Sequence, residues 1–362
     1  MSKARQLADL GNQVDDGTIT GSNMIINGAM TVAQRSISES VSTSDGYKTL
    51  DRFQYNEMGN YAGVHTMSQD TTGPSGFANS LKFLTTTADS SLSGADGFSL
   101  RYRVEAQDLQ RLGYGTSDAK SCTLSFYVKS NVTGTYTINI QQPDATKMLG
   151  VSYTVDAANT WELKTLTFVG NTSNVINNDT GIGMQIQWGL ATGPNWTSGT
   201  LRSTWTNTSN GDYHAGQTAN VGSAVNNYWQ ITGVCLNVGD SAIDFPHESY
   251  GETLAKCQRY YEVFHAGSQT GYLAIGNWWT SNQARCVLQY TEKRTNPSIS
   301  ASDVICYQSG SGTEYSLSET IDDAHSTHAL LYGGVSGAST TQGHSLQMRV
   351  NANGSIQIDA EL

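Results

Sequence analysis

Residues 228–264 read YWQITGVCLNVGDSAIDFPHESYGETLAKCQRYYEVF, and the change of rhythm within them decides the fold. From Trp229 to Val238, Ile231 and Cys235 occupy one alternating face while Val234, Leu236 and Val238 occupy the other, the pattern of a strand covered on both sides. This is read as the closing strand of a sandwich. Gly239, Asp240 and Ser241 are turn formers, and Phe245-Pro246 marks a sheet edge or exit, because proline brings no N–H to a ladder. From Gly251 the spacing becomes three and four, with Leu254, Cys257, Tyr260, Tyr261 and Phe264 on one side and Glu252, Lys256, Arg259 and Glu262 between them. That predicts a short amphipathic helix linking one β domain to another.

Working outward, 362 residues suffice for two or three domains. Charged residues make up 14% of the chain, against roughly 25% in ordinary soluble domains. Ser, Thr, Asn, Gln and 37 Gly fill the difference, a mixture suited to short strands and turns. Before the joint, Asn27-Gly28 is a turn signal, and strands are expected at 81–84, 98–104, 122–129, 134–140, 162–169 and 181–190. The last is the clearest, since Ile182, Met184, Ile186, Trp188 and Leu190 alternate with Gly183, Gln185, Gln187 and Gly189. A short helical turn is expected within 107–115, and a long polar loop over 191–227. Trp161, Trp188 and Trp229 are assigned to cores. After the joint, strands are expected at 271–275, 284–290, 298–307, 329–332, 345–350 and 355–358, the last two joined by an Asn353-Gly354 hairpin turn.

The fold class is therefore all-β: an N-terminal peptide (1–22), a jelly-roll β-sandwich (23–250), a linking helix (251–264) and a smaller β-sandwich (265–362). Ala4, Leu7, Leu10 and Val14 share one helical face at the N-terminus. A helix of that length forms only against a partner, since lone helices need roughly 12 to 15 residues. These four side chains are the candidate docking residues, and DDGTITGS (15–22) is their linker.

The formal charge of -11 and the lack of any basic run argue against nucleic acid. Glu292-Lys293-Arg294, the longest charged cluster, is too small to change that. The start has no continuous apolar signal segment, and nothing approaches the roughly 18 apolar residues of a membrane span. Five cysteines without a CxxC pair predict isolated buried thiols, so synthesis in a reducing cytoplasm. No nucleophile elbow, HExxH or P-loop is present, and no enzyme, cofactor or metal site is expected, although His325 and His328 stand close in sequence.

Binding is the better expectation. Sugar rings stack their C–H faces on Trp and Tyr, and their hydroxyls pair with neutral amides and hydroxyls, which this chain has in quantity. The candidate contacts are Tyr272, Trp278 and Trp279 in GYLAIGNWWTSNQ, with Trp196 and Trp205 in the long loop. Adjacent tryptophans on a strand face opposite ways, so one of Trp278 and Trp279 is expected to be exposed.

NMIINGAMTVAQR (23–35), DGYKTLDRF (45–53), YRVEAQDLQRL (102–112), CTLSFYVKSNVTGTYTINI (122–140) and above all 229–262 resemble tail fibre and related virion appendage proteins of tailed bacteriophages. The resemblance covers residues 23 to about 262. It implies a carbohydrate-binding-module-like jelly roll, a variable distal β domain that touches a host surface glycan or protein, a homotrimer, and an N-terminal peptide held by the tail adaptor, nozzle or another virion protein. Capsid decoration, a tail adaptor without receptor binding, and a polysaccharide depolymerase are its alternatives.

Overall fold

The computed structural model of the protein describes residues 23–265, 271–308, 313–335, 338 and 340–362, without the side chains of 318–322. Ala4, Leu7, Leu10 and Val14 lie outside the described residues. The fold is all-β and divides into two compact units, the first running to Thr253 and the second covering Leu254–Glu361.

The first unit is built of β1 (Ser38–Val41), β2 (Gly46–Tyr47), β3 (Phe53–Met58), β4 (Val64–Asp70), β5 (Ser80–Thr87), β6 (Gly97–Glu105), β7 (Cys122–Ser130), β8 (Gly134–Gln142), β9 (Lys147–Val155), β10 (Glu162–Phe168), β11 (Ile182–Thr192), β12 (Thr206–Asn207) and β13 (Tyr228–Val238). A six-stranded sheet runs β1-β4-β5-β13-β7-β10 and a seven-stranded sheet β12-β9-β8-β11-β6-β3-β2. The antiparallel pairs are nested: β8 with β9, β7 with β10, β6 with β11, and β5 with β13. That nesting, with successive pairs in alternate sheets, is a jelly roll. Rings from the two sheets meet in the core, Phe83 against Phe98 at 5.7 Å and Phe126 edge-on to Trp188 at 6.1 Å. Trp188 and Trp229 are buried as expected, but Trp161 is half-buried, with Lys129 Nζ 5.9 Å from its ring. It precedes β10, an edge strand, where less of the core is available to cover it. A 3₁₀ turn spans Ala106–Leu112.

The closing strand β13 carries a bulge between Thr232 and Cys235, where Gly233 takes φ +63°. Residues 23–28 satisfy the backbone groups the bulge leaves over: Val234 N donates to Gly28 O at 2.9 Å and Leu236 N to Asn23 Oδ1 at 2.9 Å. The expected Asn27-Gly28 turn is present, with Asn27 at φ +63°, but it clamps β13 and does not join two paired strands. A Cβ on Gly28 would lie 2.1 Å from Val234 O. Gly28→Ala therefore pushes the clamp off β13 and lowers stability by about 1 to 3 kcal/mol. Urea unfolding of the two proteins checks this, and an unchanged midpoint would refute it.

Helix α2 (Tyr250–Gln258), numbered after the single turn α1 (Pro194–Thr197), is shorter than the expected 251–264. Ser249 caps it with Glu252, Oγ and Oε2 lying 2.8 Å apart. Tyr261 to His265 instead form β14, because the chain there pairs along residues 355–359. The aromatic and β-branched residues of YYEVF suit a pleated edge as well as a helix.

The second unit continues with β15 (Gly271–Thr280), β16 (Gln283–Gln289), β17 (Ser298–Gln308), β18 (Glu314–Ala324), β19 (His328–Val335) and β20 (Ser345–Asp359). The sheet order is β14-β20-β15-β16-β19-β18-β17, with β17 pairing back onto β20. Six strands thus close into a ring around one core of Trp278, Cys286, Leu331, Met348, Ile356 and their neighbours. The expected Asn353-Gly354 hairpin turn is absent: β20 runs through it and pairs with β17 on both sides, at 346–350 and at 355–359. Asn353 at φ +66° faces a bulge in β17, where Asp303 is at φ +52°. Gly354 is required by close approach, since a Cβ there would lie 2.7 Å from Ser302 O.

All five cysteines are buried, and none forms a disulfide. Burial pushes the thiols of Cys122, Cys235, Cys286 and Cys306 up to about 12, so they stay protonated and inert. Among the described residues no helix is long and apolar enough to cross a membrane.

Candidate functional site

An open cleft of about 480 Å³ lies over the outer face of the seven-stranded sheet, lined by residues that include Asn56, Arg101, Arg103, Gln141, Gln185, Gln187, Trp196 and Tyr213. Strand register builds its floor. One row crosses four strands as Asn139, Gln187, Arg101 and Gln54, and the next crosses three as Gln141, Gln185 and Arg103. Each of these residues flanks an inward apolar one, Ile140, Ile186, Tyr102 or Tyr55, all buried. Two-residue alternation that sends those into the core must lay the amides and guanidinia on the opposite face. The polar face of β11, which alternation alone would leave to solvent, is in fact covered: Gln187 is only 3% exposed.

The floor is held in place by its own hydrogen bonds. Ser99 Oγ accepts from Asn56 Nδ2 at 2.9 Å and from Gln187 Nε2 at 2.8 Å. Arg103 Nε donates to Gln185 Oε1 at 3.0 Å, and Arg101 donates to Gln54 Oε1 at 3.2 Å and to Asn56 Oδ1. Burial, and then the neighbouring Arg103, lower the Arg101 guanidinium to about 10, so it stays charged at neutral pH. Arg101 Nε and Gln141 Nε2 are buried with no partner among the described residues, a rare state for buried N–H groups.

Trp196 supplies the wall. It sits on α1, where Pro194 opens the turn, and its Nε1 donates to Ala95 O at 2.5 Å. Tyr213 meets it edge-on at 5.5 Å, and burial raises the Tyr213 hydroxyl, keeping it protonated. The site thus combines aromatic faces with a fixed floor of neutral amides and two guanidinia. It has the parts to stack a sugar ring and pair its hydroxyls.

The other sequence candidates fall elsewhere. Trp205 does not line the cleft; it packs on the core, donating its Nε1 to Val169 O at 2.8 Å and meeting Tyr114 at 5.8 Å. Trp278 is fully buried in the second unit, against Tyr315, and is corrected from a contact to a core residue. Its neighbour Trp279 is exposed, as alternation requires, and Tyr272 on the same strand is exposed as well. His325 and His328 stand with rings 4.9 Å apart, and no group of three metal-ligating side chains occurs among the described residues. Of the sequence candidates Trp196 lines this cleft, and its other lining residues Tyr213, Arg101, Arg103 and the glutamines are not among them.

No protein-family model and no curated protein matches the chain. Among solved structures, a bacteriophage CBA120 tailspike enzymatically active domain is 11% identical, over 60% of this chain and 21% of its own length, with a TM-score of 0.31. A putative sugar binding protein from Bacteroides thetaiotaomicron is 12% identical over 60% of this chain and 99% of its own, with a TM-score of 0.31. The family 11 carbohydrate-binding module of a Clostridium thermocellum cellulase is 11% identical over 56% and 99%, with a TM-score of 0.29.

Proposed function

We propose that the chain is a non-catalytic glycan-binding subunit of a tailed-phage virion appendage. The observation that carries the binding reading is the ordered polar floor of Gln185, Gln187, Arg101 and Arg103 beneath Trp196 and Tyr213. The phage setting rests on the sequence resemblance of residues 23 to about 262. In that setting, residues 1–22 attach the subunit to a tail adaptor or another virion protein, copies associate as a homotrimer, and synthesis takes place in the host cytoplasm. Inert buried thiols suit such synthesis.

The test is retention of the full chain by host envelope polysaccharide in affinity electrophoresis. Removing the indole in Trp196→Ala should weaken binding about tenfold, the ratio that about 1.4 kcal/mol corresponds to. Gln187→Ala should act in the same direction. Unaltered retention of both variants would remove the cleft from consideration. Reducing ends released from the polysaccharide would assign the depolymerase alternative instead.

A further inference from the structure

The outer face of the second unit holds two arginines in nearly the same setting with different electrostatic fates. Arg349 lies between Tyr307 and Tyr272, at 4.0 Å and 4.6 Å from the ring centroids. Its Nη1 is 3.4 Å from Glu314 Oε1 and its Nη2 donates to Gln347 Oε1 at 2.6 Å. Arg285 lies between Trp279 and Tyr332, at 4.1 Å and 5.3 Å. Its guanidinium makes no ion pair or hydrogen bond with the described residues, and its Nε, like that of Arg349, is buried without a partner. In a chain with 31 acidic residues and 20 basic ones, a guanidinium left unanswered beside an aromatic wall calls for an anion from outside.

The surroundings define that anion. Asn277, directly across from Arg285 in the ladder, is exposed, and Trp279 keeps 48% of its surface open. Tyr272 and Ile275, farther along the same strand, are 73% and 80% exposed. An aromatic face, an amide and one guanidinium match a sugar ring bearing a planar, singly charged group, which guanidinium pairs in two parallel hydrogen bonds. A phosphate, with more charge, is usually answered by more than one cation, and Arg349 is already paired with Glu314.

We infer that Arg285, with Trp279 and Asn277, forms a second saccharide site, selective for carboxylate-bearing sugars of the uronic-acid class. It lies in a different unit from the cleft and does not rest on the cleft reading.

The experiment is calorimetric titration of the full chain with oligogalacturonates and, for comparison, neutral galacto-oligosaccharides of equal length. Uronate binding should weaken at least tenfold in Arg285→Gln and several-fold in Arg285→Lys, which keeps the charge but loses the fork. It should also fall as salt is raised. Melting temperature confirms that each variant is folded. The assignment is overturned if uronates bind no tighter than neutral sugars, or if Arg285→Gln binds them as well as the parent. It is also overturned if Arg285→Gln changes the subunit number in sedimentation, which would give this face to a second copy of the chain.

Discussion

Glu262→Ala destabilises the second unit by about 3 to 5 kcal/mol, the usual consequence of removing one partner from a buried ion pair. Lys293 is 2% exposed and Glu262 7%, and Nζ and Oε2 are 2.6 Å apart. The ammonium also donates to Gln258 O at 2.6 Å, while Glu262 Oε2 accepts from Thr291 N at 2.9 Å. The pair therefore ties the end of α2, β14 and the turn after β16 together. Burial lowers the Lys293 pKa and the contact with Glu262 opposes that shift. Without the carboxylate only the desolvation penalty remains, and the lysine is left charged in the interior or forced to shed its proton. The double variant Glu262→Leu/Lys293→Met should fall within about 1 kcal/mol of the parent, since two apolar groups of similar volume leave no charge to bury. Native-state hydrogen exchange of peptides from β14 to β20 resolves the effect within the second unit. A single-variant loss under about 1 kcal/mol, or a double variant as unstable as the single, would show that the pair is not the tie described.

This residue also marks where the sequence stopped being readable. Glu292-Lys293-Arg294 reads only as a charged cluster too small to bind nucleic acid, and nothing in it tells that Lys293 is interior or that Arg294 donates to the carbonyls of Ala360 and Glu361. Composition cannot reveal that, because burial of a charge depends on a partner 31 residues away. The jelly roll was legible, since QIQW and its neighbours alternate with period two, but β13 is not apolar on both faces: the bulge at Gly233 brings Ile231, Leu236 and Val238 onto the one face that meets the core and leaves Thr232, Cys235 and Asn237 on the other. The cleft was half legible. Four strands carry a polar-apolar-polar triplet, Gln54-Tyr55-Asn56, Arg101-Tyr102-Arg103, Asn139-Ile140-Gln141 and Gln185-Ile186-Gln187. Such triplets mark a polar outer face, but only register shows that they share one. Tyr213 gave no sequence signal, because its place beside Trp196 comes from loop closure, with His214 N donating to Trp196 O at 2.8 Å.

Lowering the pH from 6.5 to 4.5 should cost the first unit about 5 kcal/mol, through two histidines that folding keeps neutral. His65 and His214 are both fully buried, and burial lowers each to about 3. Their hydrogen bonds have the same plan. Thr85 Oγ1 donates to Val221 O, so it accepts from His65 Nδ1 at 3.1 Å, and His65 Nε2 takes the Tyr61 hydroxyl at 3.0 Å. Thr137 Oγ1 donates to Gln217 Oε1, so it accepts from His214 Nδ1 at 2.9 Å, and His214 Nε2 has no partner among the described residues. In His214 one nitrogen donates and the other has no acceptor for a second proton among the described residues, and in His65 a second proton would require the Tyr61 hydroxyl to turn from donor to acceptor. Because the folded pKa lies below the unfolded value near 6.5, the unfolded chain binds the extra protons. Stability is therefore complete above pH 6.5 and falls toward pH 3, by about 1.4 kcal/mol per histidine and pH unit. The carboxylates held low by their partners, Asp70, Asp96, Asp212 and Glu162, act mainly at lower pH, while Glu57, raised by burial and then by Asp45, takes up its proton in the folded state and offsets part of the loss. Urea midpoints between pH 7 and 4.5 measure the slope. His65→Gln and His214→Gln should each remove about half of it, whatever they cost at neutral pH, and a first unit equally stable at both ends would mean that the two imidazoles accept protons without unfolding it.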